Sequence, residues 1–192
     1  VGISEEKKQL YRAQTLFVRA TQYAILTSLF GDVVYIDKEI SIDEAFEMGR
    51  TDREEVMENV YKDLDEAAHY LPETYGTQRE FATKGAAYAI KARYALYNED
   101  WELAAQAAKK CMDLQIYELH PDFEELFIAS THHAKENILS WPRSVELKNY
   151  LDVGAAMSYC PRNRGGYASE YPSWELFCSF LCTDGLPIDE SP

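Results

Sequence analysis

The sequence lacks the features that mark several common classes of protein. No stretch approaches the roughly 18 apolar residues of a membrane-spanning helix, and the densest apolar run, 23–30, is interrupted by Thr27 and Ser28. Basic residues are scarce, because 19 lysines and arginines stand against 33 aspartates and glutamates and leave a net charge of −14. This shortage of positive charge argues against binding to nucleic acid or to an anionic membrane surface.

The motifs of familiar catalytic and metal sites are also missing. The sequence has no nucleophile elbow, no phosphate-binding loop, no dinucleotide fingerprint and no H-E-x-x-H zinc motif. Its four cysteines include no C-x-x-C pair, so we interpret them as small buried hydrophobes, although Cys178 and Cys182 lie one helical turn apart. His132 or His133 together with Glu136 could form the edge of a metal site, but no third ligand is evident in the sequence. We therefore expect no enzyme, no metal site and no cofactor.

What the sequence does contain is a series of helical patterns. Apolar residues at three- and four-residue steps predict helices over 4–29, 52–71, 83–98 and 101–114. The last two are rich in alanine and are separated by a very short turn, which is typical of a tetratricopeptide hairpin because small side chains let antiparallel helices approach closely. We predict an all-α fold of tetratricopeptide-like stacked helical hairpins, with residues 1–130 as its helical scaffold.

The character of the sequence changes after residue 130. Residues 1–130 carry a net charge of −11, whereas residues 131–192 carry only −3 and are rich in glycine, proline and aromatic residues. We expect 131–192 to be a loop-rich, ligand-side segment of the same domain, with a long irregular loop region near the C-terminal end. Within it, a short strand is expected at Asn137–Trp141 and a short helix at Trp174–Leu181.

The irregular segment combines aromatic rings with polar side chains. Rings of Tyr and Trp can stack on the apolar faces of sugars, while Arg and Asn can bond their hydroxyl groups. The alternative is that these rings only cover the domain's own surface. The candidate glycan-binding residues are Tyr159, Arg162, Asn163, Arg164, Tyr167, Tyr171 and Trp174.

Both ends of the chain suggest a piece of a longer protein. The first residue is Val1 rather than methionine, and a helical pattern begins almost at once. The last residues, 185–192, are turn-like and form no closing element. We therefore expect flanking sequence on both sides.

Several short motifs follow one another along the helical part. They are RAQTLFVRA at 12–20, LFGDV at 29–33, ATKGAA at 82–87, ARYALY at 92–97, DW at 100–101 and ENILS at 136–140. In this order they resemble the SusD/RagB family of nutrient-binding outer-membrane lipoproteins. Gln14, Thr15 and Val34 depart from the family pattern, which commonly has Glu, Ala and Pro there, but all three belong to the scaffold.

The resemblance implies a function as well as a fold. It implies a non-catalytic, cell-surface lipoprotein of the outer membrane that binds an oligosaccharide or polysaccharide and delivers it to a SusC-like TonB-dependent transporter. Membrane contact would be made only through a lipid anchor outside this chain, and none of the four cysteines is assigned to it. The alternative is a helical repeat scaffold that binds a peptide or protein partner. Coplanar rings within 150–174 would favour sugar, and a groove on the helical hairpins would favour peptide.

Overall fold

A computed structural model describes residues 2–141 and 153–191. The chain divides into two compact units, with the division between Trp141 and Pro142. The first unit contains α1 (Glu5–Phe30), α2 (Ile42–Glu47), α3 (Arg53–Tyr70), α4 (Lys84–Tyr97) and α5 (Trp101–Asp113); the second contains α6 (Val153–Tyr159) and α7 (Trp174–Ser179). The grouping of 131–192 with the scaffold in one domain stays a prediction.

The longest helix, α1, begins and ends where the sequence supplies caps. The Ser4 hydroxyl accepts a hydrogen bond from the backbone N–H of Lys7, which satisfies one free donor of the first turn. Gly31 ends the helix with a φ of 70° and donates its N–H to the carbonyl of Thr27. One face of α1 is buried, through Ala13, Leu16, Phe17, Ala20, Thr21, Ala24 and Thr27. That stripe recurs at the three- and four-residue steps of a helix, as expected from the sequence.

The core of the first unit lies mainly between α1 and α3, and α4 packs on α3. On α3 the most deeply buried large side chains are Val56, Val60 and Leu64. Each such side chain stabilises the fold by about 1.5–3 kcal/mol through loss of contact with water. The alanines that face them on α1 and α4 allow the helices to pack closely.

Ion pairs join α3 to its two neighbouring helices. Arg19 on α1 donates through two nitrogens to the two carboxylate oxygens of Asp63, both at 2.8 Å. On the other side, Lys91 of α4 is buried and donates to Asp65 at 2.7 Å. These paired charges fix how α1 and α4 align along α3, because a shift of one helix would leave a charge without its partner.

The hairpin predicted from the alanine-rich segments is formed by α4 and α5. The two helices pack against each other, and only residues 98–100 separate them. Asp100 accepts hydrogen bonds from the Tyr61 hydroxyl at 2.7 Å and from the Asn98 amide at 2.9 Å. The turn is therefore tied to α3 through a side chain, and the predicted helical-hairpin architecture is confirmed.

The structure departs from the sequence-based expectations at three short elements. Helix α2 forms between two of the predicted helices, where no helix was expected, and α6 forms within the segment expected to be irregular. No strand forms over 137–141, where a backbone hydrogen bond joins the N–H of Ser140 to the carbonyl of Arg79. Among the described residues, the only β-type pairing is an isolated bridge between Val33 and Thr51.

Candidate functional site

Five of the seven candidate residues lie on one small loop of the second unit. Helix α6 ends at Tyr159, and a single turn of 3-10 helix, Arg162–Arg164, follows after Cys160 and Pro161. The carbonyl of Pro161 accepts hydrogen bonds from the N–H groups of Arg164, at 2.9 Å, and Gly166, at 3.2 Å. These bonds close the turn and give the two arginines fixed backbone positions.

After the turn the chain runs back along α6. The Tyr167 N–H donates to the carbonyl of Met157 at 2.8 Å, and the Ser169 N–H donates to that of Ser158 at 2.9 Å. The approach is so close that a Cβ added to Gly166 would lie 2.0 Å from the carbonyl oxygen of Cys160. The loop is thus a closed backbone structure, which we call the aromatic loop and define as residues 159–170.

The candidate side chains of the aromatic loop are turned to solvent. Tyr159 is 66% exposed and Tyr167 is 65% exposed, and the side chains of the 3-10 turn are exposed as well. The Tyr159 hydroxyl is hydrogen-bonded to the carboxylate of Glu170, which raises the pKa of Tyr159. Tyr159 therefore stays protonated at neutral pH and can hold this carboxylate at the end of the loop.

The remaining two candidates, Tyr171 and Trp174, lie at the start of α7. Ser173 caps this helix by accepting a hydrogen bond from the N–H of Leu176 at 3.1 Å. Trp174 is the first helical residue and is 71% exposed, and Tyr171 is 76% exposed. Trp174 stacks on Phe177, with ring centroids 5.2 Å apart and an angle of 27° between the planes.

Phe177 was missed in the sequence-based selection. It lies three residues after Trp174, and residues three apart share a face of a helix, so this spacing was the available signal. Because the two rings are stacked, each covers one face of the other, and an outer face of the stack is the part that can pack against a sugar ring.

The structure thus arranges the seven candidates as two groups. Hydrogen bonds link Arg162 to the carbonyl of Tyr167 at 3.4 Å and Tyr159 to Glu170, which lies next to Tyr171 in the sequence. Within the described residues, no stacked pair or direct hydrogen bond joins the side chains of Tyr171 or Trp174 to those of the aromatic loop. Within 153–191, Trp174 and Phe177 form the one ring pair that the structure describes.

The histidines considered as a metal edge have other neighbours. The rings of His132 and His133 lie 3.5 Å apart, and Glu136 accepts a hydrogen bond from the backbone N–H of His120 at 2.7 Å. In the described part of the chain, no group of three or more His, Cys, Asp or Glu side chains is arranged to hold a metal. All four cysteines are free thiols; burial raises the pKa of Cys111, and the other three are only partly buried.

Features of the helical unit are also relevant to binding. A shallow depression of about 510 Å³ lies on the outer side of α1 and is lined by Tyr11, Gln14, Thr15, Val18 and Arg19. Tyr11 and Val18 are both largely exposed there. No helix within 2–141 or 153–191 has both the length and the apolar character needed to cross a membrane.

The fold defines a class of protein built from helical hairpins of the tetratricopeptide type. Over residues 2–96, about half of the chain, the sequence matches the SusD-like family described as starch-binding and associating with the outer membrane. The chain belongs to this family, which confirms the resemblance seen in the sequence and the expected cell-surface location at the outer membrane.

Individual relatives agree with this assignment. SusD-like protein P2 of Formosa agariphila is 35% identical over 134 residues, which are 68% of this chain and 26% of that protein. A SusD-like carbohydrate-binding protein of Bacteroides fragilis is 28% identical with a TM-score of 0.85, covering 99% of this chain and 37% of that one. A second SusD-like protein of B. fragilis is 26% identical with a TM-score of 0.78, covering 96% of this chain and 38% of that one. The chain thus spans between a quarter and a third of the length of the curated relatives it matches.

Proposed function

We propose that this protein binds a glycan at the cell surface without catalysing its cleavage. The observation that carries the proposal is the exposure of four aromatic rings, Tyr159, Tyr167, Tyr171 and Trp174, on a short segment that also bears arginine and asparagine. Clusters of exposed apolar side chains mark interaction sites on many protein surfaces. Membership of a family described as starch-binding supports a sugar as that partner.

The two groups of rings suit different parts of one oligosaccharide. The Trp174–Phe177 pair offers a flat face for one sugar ring, and Tyr159 and Tyr167 offer faces on the aromatic loop. The exposed side chains of Arg162, Asn163 and Arg164 supply N–H donors for hydroxyl groups, and the Asn163 carbonyl also supplies an acceptor. Recognition of this kind is weak for each sugar unit and becomes useful over several units.

Calorimetric titration of the protein with a panel of neutral and acidic polysaccharides tests this proposal. Binding of at least one polysaccharide should weaken about tenfold or more in the Tyr167→Ala and Trp174→Ala variants, because each loses one stacking face. The matched controls are Tyr11→Ala and Trp101→Ala, which remove rings of similar exposure from the helical unit. Trp101 is a close match for Trp174, since each is the first residue of its helix.

Delivery to a SusC-like TonB-dependent transporter is the second part of the proposed role, with membrane contact through a lipid anchor outside these 192 residues. It is supported by the family's association with the outer membrane. Purification of the tagged protein from detergent-solubilised outer membranes should recover a TonB-dependent transporter in a stable complex. Recovery of the protein without any such partner would contradict this part of the proposal and leave glycan binding intact.

The alternative function is binding of a peptide by the helical hairpins. The depression on α1, with Tyr11 and Val18 exposed in it, is the observation that favours this function. It predicts that Tyr11→Ala weakens binding of a peptide library while Tyr167→Ala does not. The reverse pattern, with glycan binding lost only in the Tyr167→Ala and Trp174→Ala variants, would exclude the alternative.

A further inference from the structure

The distribution of charge in the second unit is uneven. Residues 153–191 contain five carboxylates but only two cationic side chains, Arg162 and Arg164, with no lysine and no histidine. Both cations lie in the same 3-10 turn, between Tyr159 and Tyr167 in the sequence. All the positive charge of this stretch therefore belongs to the aromatic loop.

The two guanidinium groups are available to a ligand. Among the described residues, neither Arg162 nor Arg164 lies within ion-pair distance of a carboxylate, and the only bond from either guanidinium goes from Arg162 Nε to a backbone carbonyl at 3.4 Å. In the helical unit, by contrast, Arg12 and Arg19 are each paired with a carboxylate of α3. Glu170, the acidic residue of the aromatic loop, is bonded to the Tyr159 hydroxyl instead of an arginine.

A free guanidinium has a distinct chemical preference. Its planar set of N–H groups matches the paired oxygens of a carboxylate or a sulfate, and such charge-assisted bonds are roughly twice as strong as bonds to neutral groups. A neutral sugar hydroxyl gains less from a cation, because binding it still removes water from the charged group. Two unpaired arginines held on a closed turn are therefore better suited to an anionic sugar than to a neutral one.

The net charge of the chain does not favour binding of anionic polymers in general. At −14 the protein as a whole repels a polyanion, so non-specific attraction would not bring the two together. At physiological salt, charges farther apart than about 8 Å are largely screened. Binding of an anionic polymer would then depend on the charges near the contact, and those of the aromatic loop itself are Arg162, Arg164 and Glu170.

We propose that the glycan bound by the aromatic loop is anionic, with carboxylate or sulfate groups on Arg162 and Arg164 and sugar rings on the neighbouring tyrosines. The inference rests on the proposed function, since it names the class of glycan for the same site. Carboxylate and sulfate groups share the required chemistry, and separate probes distinguish them.

Matched pairs of polymers test the inference by calorimetric titration of the protein. Polygalacturonate is compared with its fully methyl-esterified form, and dextran sulfate is compared with dextran. At least one charged member should bind about tenfold or more tightly than its neutral partner, and higher salt should weaken that binding. The preference should disappear in Arg162→Gln/Arg164→Gln and survive in part in Arg162→Lys/Arg164→Lys, which keeps the charge but loses the paired N–H geometry.

Two further variants separate a local site from a general effect of charge. Arg93→Gln removes an exposed arginine of the helical unit and should leave the preference unchanged. Glu170→Gln removes the opposing charge, keeps an acceptor for the Tyr159 hydroxyl, and should tighten binding of the charged polymer only.

The possible failures are distinct. If neutral polymers bind as well as charged ones, and binding depends on Tyr167 and Trp174 but not on the arginines, then the glycan-binding function stands and the anionic preference is wrong. If Arg93→Gln weakens binding of the charged polymer as much as Arg162→Gln/Arg164→Gln does, the inference is also wrong, because the effect would then come from the overall charge of the protein. If no polysaccharide of either kind binds, both the inference and the proposed function fail.

Discussion

Gly165 and Gly166 are the residues on which the aromatic loop depends most. Gly165 has a φ of 87°, in the left-handed region, and Gly166 leaves no room for a side chain beside the Cys160 carbonyl. We expect Gly166→Ala to open the turn and weaken glycan binding about tenfold or more, since the strain of a displaced backbone is about 1–3 kcal/mol. Calorimetry measures the loss of glycan binding, and the circular dichroism of the helices should not change.

Gly49→Ala is the control for Gly166→Ala, because a methyl group there meets nothing within 4 Å. Equal losses of glycan binding in the two variants would contradict the role assigned to Gly166.

The paired charges Arg19 and Asp63 are the second feature at this scale. Asp63 is buried beside the core, so Arg19→Met should lower the free energy of unfolding by about 2–4 kcal/mol by leaving a carboxylate without its partner. Urea unfolding measures the change, and the double variant Arg19→Met/Asp63→Leu should recover most of it. Lys62→Met breaks the fully exposed pair with Glu58 and should change stability by less than about 1 kcal/mol. If Arg19→Met lowers the free energy of unfolding no more than Lys62→Met does, the stabilising role assigned to the Arg19–Asp63 pair is wrong.

At the scale of elements, the α4–α5 turn makes the stability of the fold depend on pH through Asp100. Hydrogen bonds from Asn98 and Tyr61 lower the pKa of Asp100. The pKa of Tyr61 is raised, mainly by burial and also by its hydrogen bond to Asp100, so the Tyr61 hydroxyl keeps its proton and donates at neutral pH. Because the folded pKa of Asp100 lies below its unfolded value, the stabilisation is present above the unfolded pKa. It is lost as the pH falls through the folded pKa.

Asp100→Asn should therefore lower the free energy of unfolding by about 1 kcal/mol at pH 7. The difference in free energy of unfolding between the variant and the wild type should begin to narrow as the pH falls below about 4, the ordinary pKa of an aspartate. It should narrow further as the pH falls through the lowered pKa of folded Asp100, because the carboxyl group then becomes neutral like the amide. Urea unfolding at a series of pH values measures this difference, and Glu39→Gln, which changes an exposed loop carboxylate, gives the background effect. A gap that stays constant down to the acid limit would show that the charge of Asp100 does not stabilise the turn.

The length of an element decided how well the sequence predicted it. The four long helices of the first unit each carry an apolar stripe of several turns, and all four were expected. Helices α2 and α6 have six and seven residues, too few for a periodic pattern to be distinct. The capping box of Ser41 and Glu44 was the local signal for α2. The strand expected at 137–141 does not form, because apolar residues alone do not supply a partner strand.

At the scale of the whole molecule, composition and chemistry predicted which residues to consider for the site, but not how they group. Exposed aromatic and arginine side chains on an irregular segment were visible in the sequence. The closure of the aromatic loop along α6 was not, since it depends on hydrogen bonds such as that from Tyr167 to Met157, ten residues apart. That Arg162 and Arg164 form no ion pair within the described part of the chain depends equally on where the carboxylates come to lie in the fold. These are properties of the folded backbone, which a pattern of residue types does not specify.

The most direct test of glycan binding at these rings uses the fluorescence of Trp174. The chain has three tryptophans, so Trp101→Phe/Trp141→Phe leaves Trp174 as the only one, 71% exposed. Titration with a polysaccharide bound in calorimetry should change the intensity and shift the emission to shorter wavelength, because a sugar ring stacked on the indole excludes water. The matched protein that keeps only Trp101 should show no change. Emission from Trp174 that stays constant while calorimetry reports full binding would place the glycan elsewhere and contradict the proposed site.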